Sequence, residues 1–290
     1  MRPDRPGRGI ALMILAMAML AGLDAIGKLA TQTYPVSQVL FLRFAMFLAF
    51  ALALAARRGG IRARLRTRHV RLQVFRSLVL ALEMWLFVYA ISKLALADVH
   101  AVAAVSPLIA TALAVPILRE QVGPWRWAAV AAGFVGTLIV IRPGIGVFDP
   151  LTIVPLVAAF GWAYYQILLR RLREEPPETT LLYTAIVGAA VWSASVPFAW
   201  HPPDAYGWAL LSAVGAIGIV THGLLILAAR EAPASVLQPF TYTLLVWATL
   251  WGWVGFGAFP DSWTIVGASV VVASGLFAIW REHRHAARHL

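Results

Sequence analysis

The chain has 290 residues, of which 61% are hydrophobic and only 13% are charged. Soluble domains are typically about half apolar and about a quarter charged, so this composition excludes an ordinary soluble fold and also intrinsic disorder. The chain contains no cysteine, which excludes disulfides, thiolate metal sites and a cysteine nucleophile. The formal net charge of +11 comes from basic residues in short segments between apolar runs, densest at 57–71. This distribution favours loops beside a membrane over a nucleic-acid-binding surface.

Apolar runs follow one another along the whole chain. A bilayer core about 30 Å thick is crossed by about 20 helical residues. Runs of this size lie at 9–31, 36–56, 73–94, 97–118, 124–141, 151–170, 179–200, 205–229, 234–257 and 263–281. The sequence therefore predicts an all-α polytopic membrane protein with ten transmembrane helices.

The basic residues predict how these helices are oriented. If the N-terminus lies in the cytoplasm, 19 arginines fall on the cytoplasmic side, and only Lys93 and Arg142 fall on the other side. This is the bias that the positive-inside rule describes. We expect a multi-pass protein of the bacterial inner (plasma) membrane with both termini in the cytoplasm. A cleaved signal peptide is not expected, because Asp24 and Lys28 interrupt the first apolar run.

A weak internal repeat relates the two halves of the chain. A shift of about 137 residues brings AISKLALADV onto LAAREAPASV, so that Lys93 falls on Arg230. Five spans per half is an odd number, which places the halves in the membrane in opposite orientations. The predicted organisation is one five-helix repeat over residues 1–145 and a second over 146–290, which together form one transporter domain. Such inverted repeats are typical of secondary transporters.

Several local motifs carry a resemblance to a known family. They are the LRF segment with Arg43 in span two, the LRE segment that ends span four, and the glycine-rich fifth and tenth spans. With the ten spans, they resemble the EamA-type branch of the drug/metabolite transporter (DMT) superfamily, and within it most closely the bacterial aromatic amino-acid exporters. The resemblance implies an exporter of small metabolites. The acidic Glu120 of LRE has no counterpart in the second half.

Ionisable side chains inside the spans are the first candidates for function, because each costs about 2.5–3.5 kcal/mol at a helix centre. Glu83 lies near the middle of span three and is the first candidate for proton coupling, with Asp24 second. The spacing of Asp24 and Lys28 also suits an intrahelical ion pair. Lys28, Arg43 and Arg76 lie nearer span ends, where snorkelling to the headgroups is an alternative to function. His100 and His222 either line the path or pack through hydrogen bonds.

Aromatic and amide side chains supply the remaining candidates for a substrate cavity, which would bind flat substrates by stacking, with packing as the alternative. Pro107 and Pro239 are candidate hinges, because proline interrupts helical hydrogen bonding. The series Ala128, Ala132 and Gly136 predicts a helix-packing face. The remaining cavity candidates are Trp85, Tyr89, Trp162, Tyr165, Gln166, Gln238 and Tyr242.

These observations predict a secondary transporter that exports small amphiphilic metabolites, with aromatic and other neutral amino acids as the first substrates to consider. Alternatives are an exporter of drugs, nucleosides or amines, an intramembrane enzyme and a scaffold. The chain has no Walker, H-E-x-x-H or G-x-S-x-G motif, so we expect neither ATP hydrolysis nor enzymatic activity. Cofactors, metals and nucleic acid are not expected. The expected partners are a small-molecule substrate and the lipid bilayer, and a homodimer is compatible with the sequence.

Overall fold

The computed structural model describes residues 6–57, 59–119, 122–142, 150–172, 174–232 and 234–286. Within these ranges the chain is helical and contains no β-strand. Glu120 and the expected repeat boundary at 145/146 lie outside the described residues, as does the side chain of Arg230.

The first half of the chain forms seven helices. Of the six short breaks between them, one, between Ala103 and Ser106, falls inside the predicted fourth span. The helices are α1 (Pro6–Ala30), α2 (Val36–Arg57), α3 (Ile61–Leu65), α4 (Val70–Lys93), α5 (Leu96–Ala103), α6 (Ser106–Leu118) and α7 (Pro124–Ile141).

The second half of the chain also forms seven α-helices, after a short 3₁₀ turn at Pro150–Ile153. They are α8 (Val154–Arg170), α9 (Pro177–Ser193), α10 (Val196–Ala199), α11 (Ala205–Glu231), α12 (Ala234–Thr241), α13 (Thr243–Phe256) and α14 (Ser262–Ala286).

Eight helical segments of the described chain are long and apolar enough to cross a membrane. They coincide, within a few residues at each end, with eight of the ten predicted spans. The predicted seventh span is instead the 17-residue α9 followed by the separate α10, and the ninth is divided at Tyr242 into α12 and α13. Pro239 lies inside α12, and a proline removes one helical hydrogen bond. The chain is thus an all-α polytopic membrane protein.

The closest helix packing joins the two halves of the chain. The main pairs are α1 with α11, α2 with α9, α4 with α8, and α7 with α14, and each pair takes one helix from either side of residues 143–149. The buried side chains therefore lie mostly between the halves. For example, Leu40 and Phe44 of α2 share one apolar cluster with Trp192 of α9.

Polar contacts tie the loops together at each end of the helix bundle. At one end, Thr67 donates to Glu175 over 2.7 Å, and Arg64 pairs with Glu178 at 3.8 Å. At the other end, Arg142 donates to Asp261 and holds the pKa of that carboxyl at about 2. Every one of these contacts joins loops that the sequence assigned to the same side of the membrane.

The α7–α14 interface is a close contact between glycines. A Cβ atom on Gly267 would lie 2.6 Å from the carbonyl oxygen of Gly136, and one on Gly136 would lie 2.8 Å from that of Gly267. The predicted packing series was wrong at two of its three positions, since Ala128 and Ala132 are exposed. The buried face follows the neighbouring i, i+4, i+7 stripe, which is Ala129, Gly133 and Gly136.

We expect Gly267→Ala to destabilise the protein by about 1–3 kcal/mol, because the added methyl group overpacks a backbone contact that cannot move aside locally. The measurement is the thermal unfolding midpoint of the purified protein in detergent. Gly255→Ala is the matched control, because a Cβ at Gly255 of α13 meets nothing within 4 Å. Equal midpoints for the two variants would contradict the close-packing interpretation.

Candidate functional site

Glu83 lies at the centre of the bundle. It is the fourteenth of the 24 residues of α4, and its side chain is buried. A Cβ on Gly161 of α8 would lie 3.1 Å from the Cβ of Glu83, so this glycine is what lets α8 approach the acidic side chain so closely. The glycine inside the aromatic segment FGWAYY was a signal for this contact that the sequence analysis did not use.

Asp24 and His100 form a second buried polar contact nearby. Nε2 of His100 lies 3.2 Å from Oδ2 of Asp24, with both side chains almost completely buried. The pair joins α1 to α5, and the ring of Phe87 packs edge-on against the imidazole with the ring centres 5.3 Å apart. The two predicted site residues therefore meet across two helices, and protonation of the imidazole would turn the contact into an ion pair.

Arg43 lies near the same buried acidic residues, which its position in the sequence did not indicate. It is the eighth residue of α2, about 10 Å from the start of the helix at 1.5 Å per residue. Its guanidinium lies within electrostatic range of both Asp24 and Glu83, and also of His222. Asp24, Arg43, Glu83, His100 and His222 are called the ionic cluster below. Four helices from the first half and one from the second supply it.

His222 is the least buried member of the ionic cluster. Its side chain is exposed, although its ring packs against Phe47 of α2 with the ring centres 5.9 Å apart. One turn earlier, a Cβ on Gly218 would meet Leu23 at 3.3 Å and Nε of Arg43 at 3.8 Å. The small face around Gly218 is therefore a close helix contact, and His222 extends beyond it.

Trp162 indicates open space inside the bundle. On α8, Gly161 faces α4, and Ala159 packs with Leu108 of α6. Successive residues of a helix are about 100° apart around its axis, so the side chain of Trp162 points between these two directions. The lipid-facing side of α8 is the opposite one, where Phe160 is exposed. Trp162 is nevertheless 40% exposed. Trp162 therefore has accessible surface on the side of α8 that faces α4 and α6.

Two stacked aromatic pairs lie on the helices that meet at Glu83. Trp85 and Tyr89 of α4 are nearly parallel, with an interplanar angle of 6° and ring centres 5.3 Å apart. Trp162 and Tyr165 of α8 stack with ring centres 5.4 Å apart. The predicted aromatic residues thus lie on the two helices that meet at Glu83; Tyr165 lies within electrostatic range of Glu83, and Trp85 packs against α2 and α9. Gln166 is half-buried on α8.

Arg76 is completely buried, so snorkelling to the headgroups, one of its two predicted alternatives, is excluded. Its Nη2 donates to the carbonyl oxygen of Thr180 over 3.1 Å and to Oγ1 of Thr184 over 2.9 Å. The ring of Tyr165 lies 5.3 Å from the guanidinium carbon. Helix α9, from the second half of the chain, covers Arg76. The guanidinium therefore cannot reach the membrane interface.

Lys28 has a structural role, because its ammonium donates to the carbonyl oxygens of Ile91 and Leu94, each over 2.7 Å. These carbonyls end α4, where a cation is favourable. The intrahelical pair with Asp24 does not form in the described part of the chain, because Asp24 contacts His100 instead.

The predicted cavity residues Gln238 and Tyr242 and the two hinge prolines lie elsewhere. Tyr242 packs against α14, where a Cβ on Gly275 would overlap its hydroxyl, and Gln238 is exposed. Pro107 stands at the start of α6, just after the break that follows Ala103, and Pro239 precedes the break at Tyr242. Both candidate hinges therefore lie beside helix discontinuities. Among the described residues, no group of three or more His, Asp or Glu side chains could hold a metal ion.

The fold and the buried ionic cluster define a polytopic helical membrane protein with charged groups at its centre. The EamA-like transporter family matches residues 7–142 and, a second time, residues 151–280. The chain therefore belongs to the EamA-like transporter family and is a membrane transporter, which confirms the EamA-type resemblance seen in the sequence.

Relatives in this family have several different substrates in their names. A riboflavin transporter of Brucella anthropi is 30% identical over 84% of this chain and 88% of its own length. An S-adenosylmethionine uptake transporter of Rickettsia bellii is 27% identical over 95% and 94% of the two chains, and the pseudopaline exporter CntI of Pseudomonas aeruginosa is 23% identical over 92% and 94%. A solved crystal structure, 21% identical over 96% of both chains, has the same fold with a TM-score of 0.65.

Proposed function

We propose that the protein is a secondary transporter of small amphiphilic metabolites that carry a flat ring, with aromatic amino acids as the first candidates. The observation that carries this proposal is that both stacked aromatic pairs lie on α4 and α8, the two helices that meet at Glu83. Aromatic faces hold a flat ring by stacking and burial of apolar area. The cluster offers both a guanidinium and carboxylates, which suit the two charged groups of an amino acid.

The named relatives support the same general chemistry but widen the range of substrates. Riboflavin and S-adenosylmethionine each contain a flat heterocycle, and the relatives include both an uptake transporter and an exporter. We propose export as the direction because of the resemblance seen in the sequence. The relatives' names add riboflavin and S-adenosylmethionine as the competing substrates to test.

We further propose ten spans in two inverted five-helix repeats that rock around the ionic cluster. The helix pairing supports this arrangement. If each helix is exchanged for the one at the same position in the other half, the α1–α11 pair becomes the α8–α4 pair, and the α2–α9 and α7–α14 pairs are unchanged. The double family match, at 7–142 and 151–280, supports it as well. In this arrangement α9 and the α12–α13 pair are the remaining two spans, and both termini are cytoplasmic in the bacterial inner membrane.

A flux assay tests the proposed function. Purified full-length protein is reconstituted into vesicles that are preloaded in turn with labelled tryptophan, leucine, riboflavin or S-adenosylmethionine. Efflux of each compound is measured with buffer outside and with each unlabelled compound as competitor. Saturable efflux that aromatic compounds inhibit more than leucine does supports the proposal. Efflux no faster than from protein-free vesicles, for every compound on the panel, would overturn it, and chemical conversion of a solute would point to an enzyme.

We expect Trp162→Ala to weaken transport of tryptophan at least tenfold more than transport of leucine. Loss of one stacked ring removes about 0.5–1.5 kcal/mol of aromatic pairing, in addition to the apolar area that the ring buries. The measurement is the KM of each substrate in the vesicle assay. Trp200→Ala is the control, because Trp200 is exposed directly after α10. Equal losses for both amino acids would indicate that Trp162 only packs.

A further inference from the structure

Arg76 differs from Arg43 in how its charge is compensated. Arg43 has two carboxylates within electrostatic range. The contacts of Arg76 are all neutral oxygens, and in the described part of the chain no acidic side chain pairs with it. A guanidinium in a membrane span without a counter-charge is costly, and such residues usually line a substrate or ion path.

The hydrogen bonds of Arg76 are also unevenly distributed. Gln73, Ser77, Thr180 and Thr184 all contact the single nitrogen Nη2, at 2.9–3.3 Å. The buried Nε and Nη1 form no well-aligned hydrogen bond, and the hydroxyl of Tyr165 is the polar group that interacts with the guanidinium from the other side. These two nitrogens carry three of the five N–H donors of a guanidinium. A buried N–H group without a good hydrogen bond is unfavourable, so binding of an acceptor group next to Arg76 would stabilise the protein.

Tyr165 separates these donors from the space beside Trp162. Its ring covers the guanidinium of Arg76 at 5.3 Å, and it stacks on Trp162, which is exposed to the inside of the bundle. Tyr165 itself is half-buried. A rotation of this one side chain would therefore connect Arg76 to the space beside Trp162. The hydroxyls of Ser77 and Thr184 already donate to the carbonyl oxygens of Gln73 and Thr180, so the guanidinium itself supplies the donors that a ligand would meet.

We propose that Arg76 is an anion-binding residue of the transport path, which receives one anionic group when Tyr165 moves aside. That group is either the carboxylate of the transported molecule or a small inorganic anion that travels with it. This inference rests on the proposed function, and it specifies that the transported molecule, or an ion that travels with it, carries an anionic group that binds at Arg76. A flat ring beside Trp162 would place an attached carboxylate towards Arg76.

The first test compares two substrates that differ in the carboxylate. Tryptophan and tryptamine share the indole ring and the amine, but tryptamine lacks the carboxyl group. In wild-type vesicles we expect tryptophan to be preferred. Arg76→Gln should lower tryptophan flux at least tenfold and change tryptamine flux less than twofold, and Arg76→Lys should fall between, because it keeps the charge but loses the planar fork. Arg68→Gln, on an exposed loop position, is the control.

A second arm identifies an inorganic anion. If chloride occupies the site, replacing chloride by isethionate should slow the flux of both indole compounds in wild type and have no effect in Arg76→Gln. Either pattern supports an anionic group at Arg76. An unchanged ratio of tryptophan to tryptamine flux in a folded Arg76→Gln protein, together with no effect of chloride, would overturn the proposal.

A binding measurement keeps the inference separate from transport. We expect chloride or tryptophan to raise the thermal midpoint of the wild-type protein in detergent, since a ligand that binds only the folded state stabilises it. Arg76→Lys should reduce this rise, and Tyr165→Ala should enlarge it by uncovering the guanidinium. If no solute is transported but the rise depends on Arg76, the proposed function fails and the anion site stands. If no anion raises the midpoint of wild type or of Tyr165→Ala, the anion site fails even where transport is measured.

Discussion

Arg43→Gln is expected to destabilise the protein and to abolish transport, because it leaves Asp24 and Glu83 in the bundle without their shared cation. Removing one partner of a buried charged group costs on the order of 3 kcal/mol, mainly because the other charge stays desolvated. The readouts are the thermal midpoint in detergent and the tryptophan flux in vesicles. Arg57→Gln is the matched control on the same helix, because Arg57 is exposed at the end of α2.

The double variant Arg43→Gln/Glu83→Gln separates charge compensation from simple packing. It removes one cation and one carboxylate together, so we expect it to recover part of the midpoint that the single Arg43→Gln variant loses. Residues that belong to one charge network show coupling of this kind in double-mutant cycles. Additive losses in the double variant would mean that Arg43 stabilises the fold independently of Glu83.

Much of the fold could be predicted from composition and run length. The thickness of the bilayer sets the length of each apolar run. A helix is the only single segment in which every backbone N–H and C=O group can form its hydrogen bond without water. Eight predicted spans therefore agree with helices of the described chain. The break after Ala103 and the break at Tyr242 could not be located in the same way, because a hydropathy run continues across them. The nearby Pro107 and Pro239 were the signal, and both stand beside the breaks.

The candidate site was predictable only in part, because the sequence shows which side chains are costly in a membrane but not what they contact. Lys28 and Asp24 have the spacing of an ion pair, yet Lys28 reaches carbonyls more than sixty residues away. Arg43 and Arg76 looked alike as charges near span ends. In the structure, one compensates carboxylates and the other is surrounded by neutral oxygens. Such differences depend on which helices become neighbours.

Glu83→Gln should reduce transport at least tenfold and remove its dependence on pH, while the protein still folds and inserts. The carboxyl group stands at mid-span opposite Gly161, and an amide of the same shape keeps the packing but cannot bind and release a proton. If Glu83 carries the coupled proton, wild-type efflux should vary with the pH difference across the vesicle, whereas efflux by the variant should not. The measurement is initial efflux over a range of imposed pH gradients.

The control must separate the charge of Glu83 from its place in the ionic cluster. Glu174→Gln removes an equal charge at an exposed loop position and should keep the wild-type pH profile. Asp24→Asn should alter the profile less than Glu83→Gln, because the amide oxygen of an asparagine can keep the contact with Nε2 of His100. Unchanged transport by Glu83→Gln at every pH would remove Glu83 from the mechanism. The Asp24–His100 pair would then be the remaining place in the cluster where a proton could couple to movement of α1 against α5.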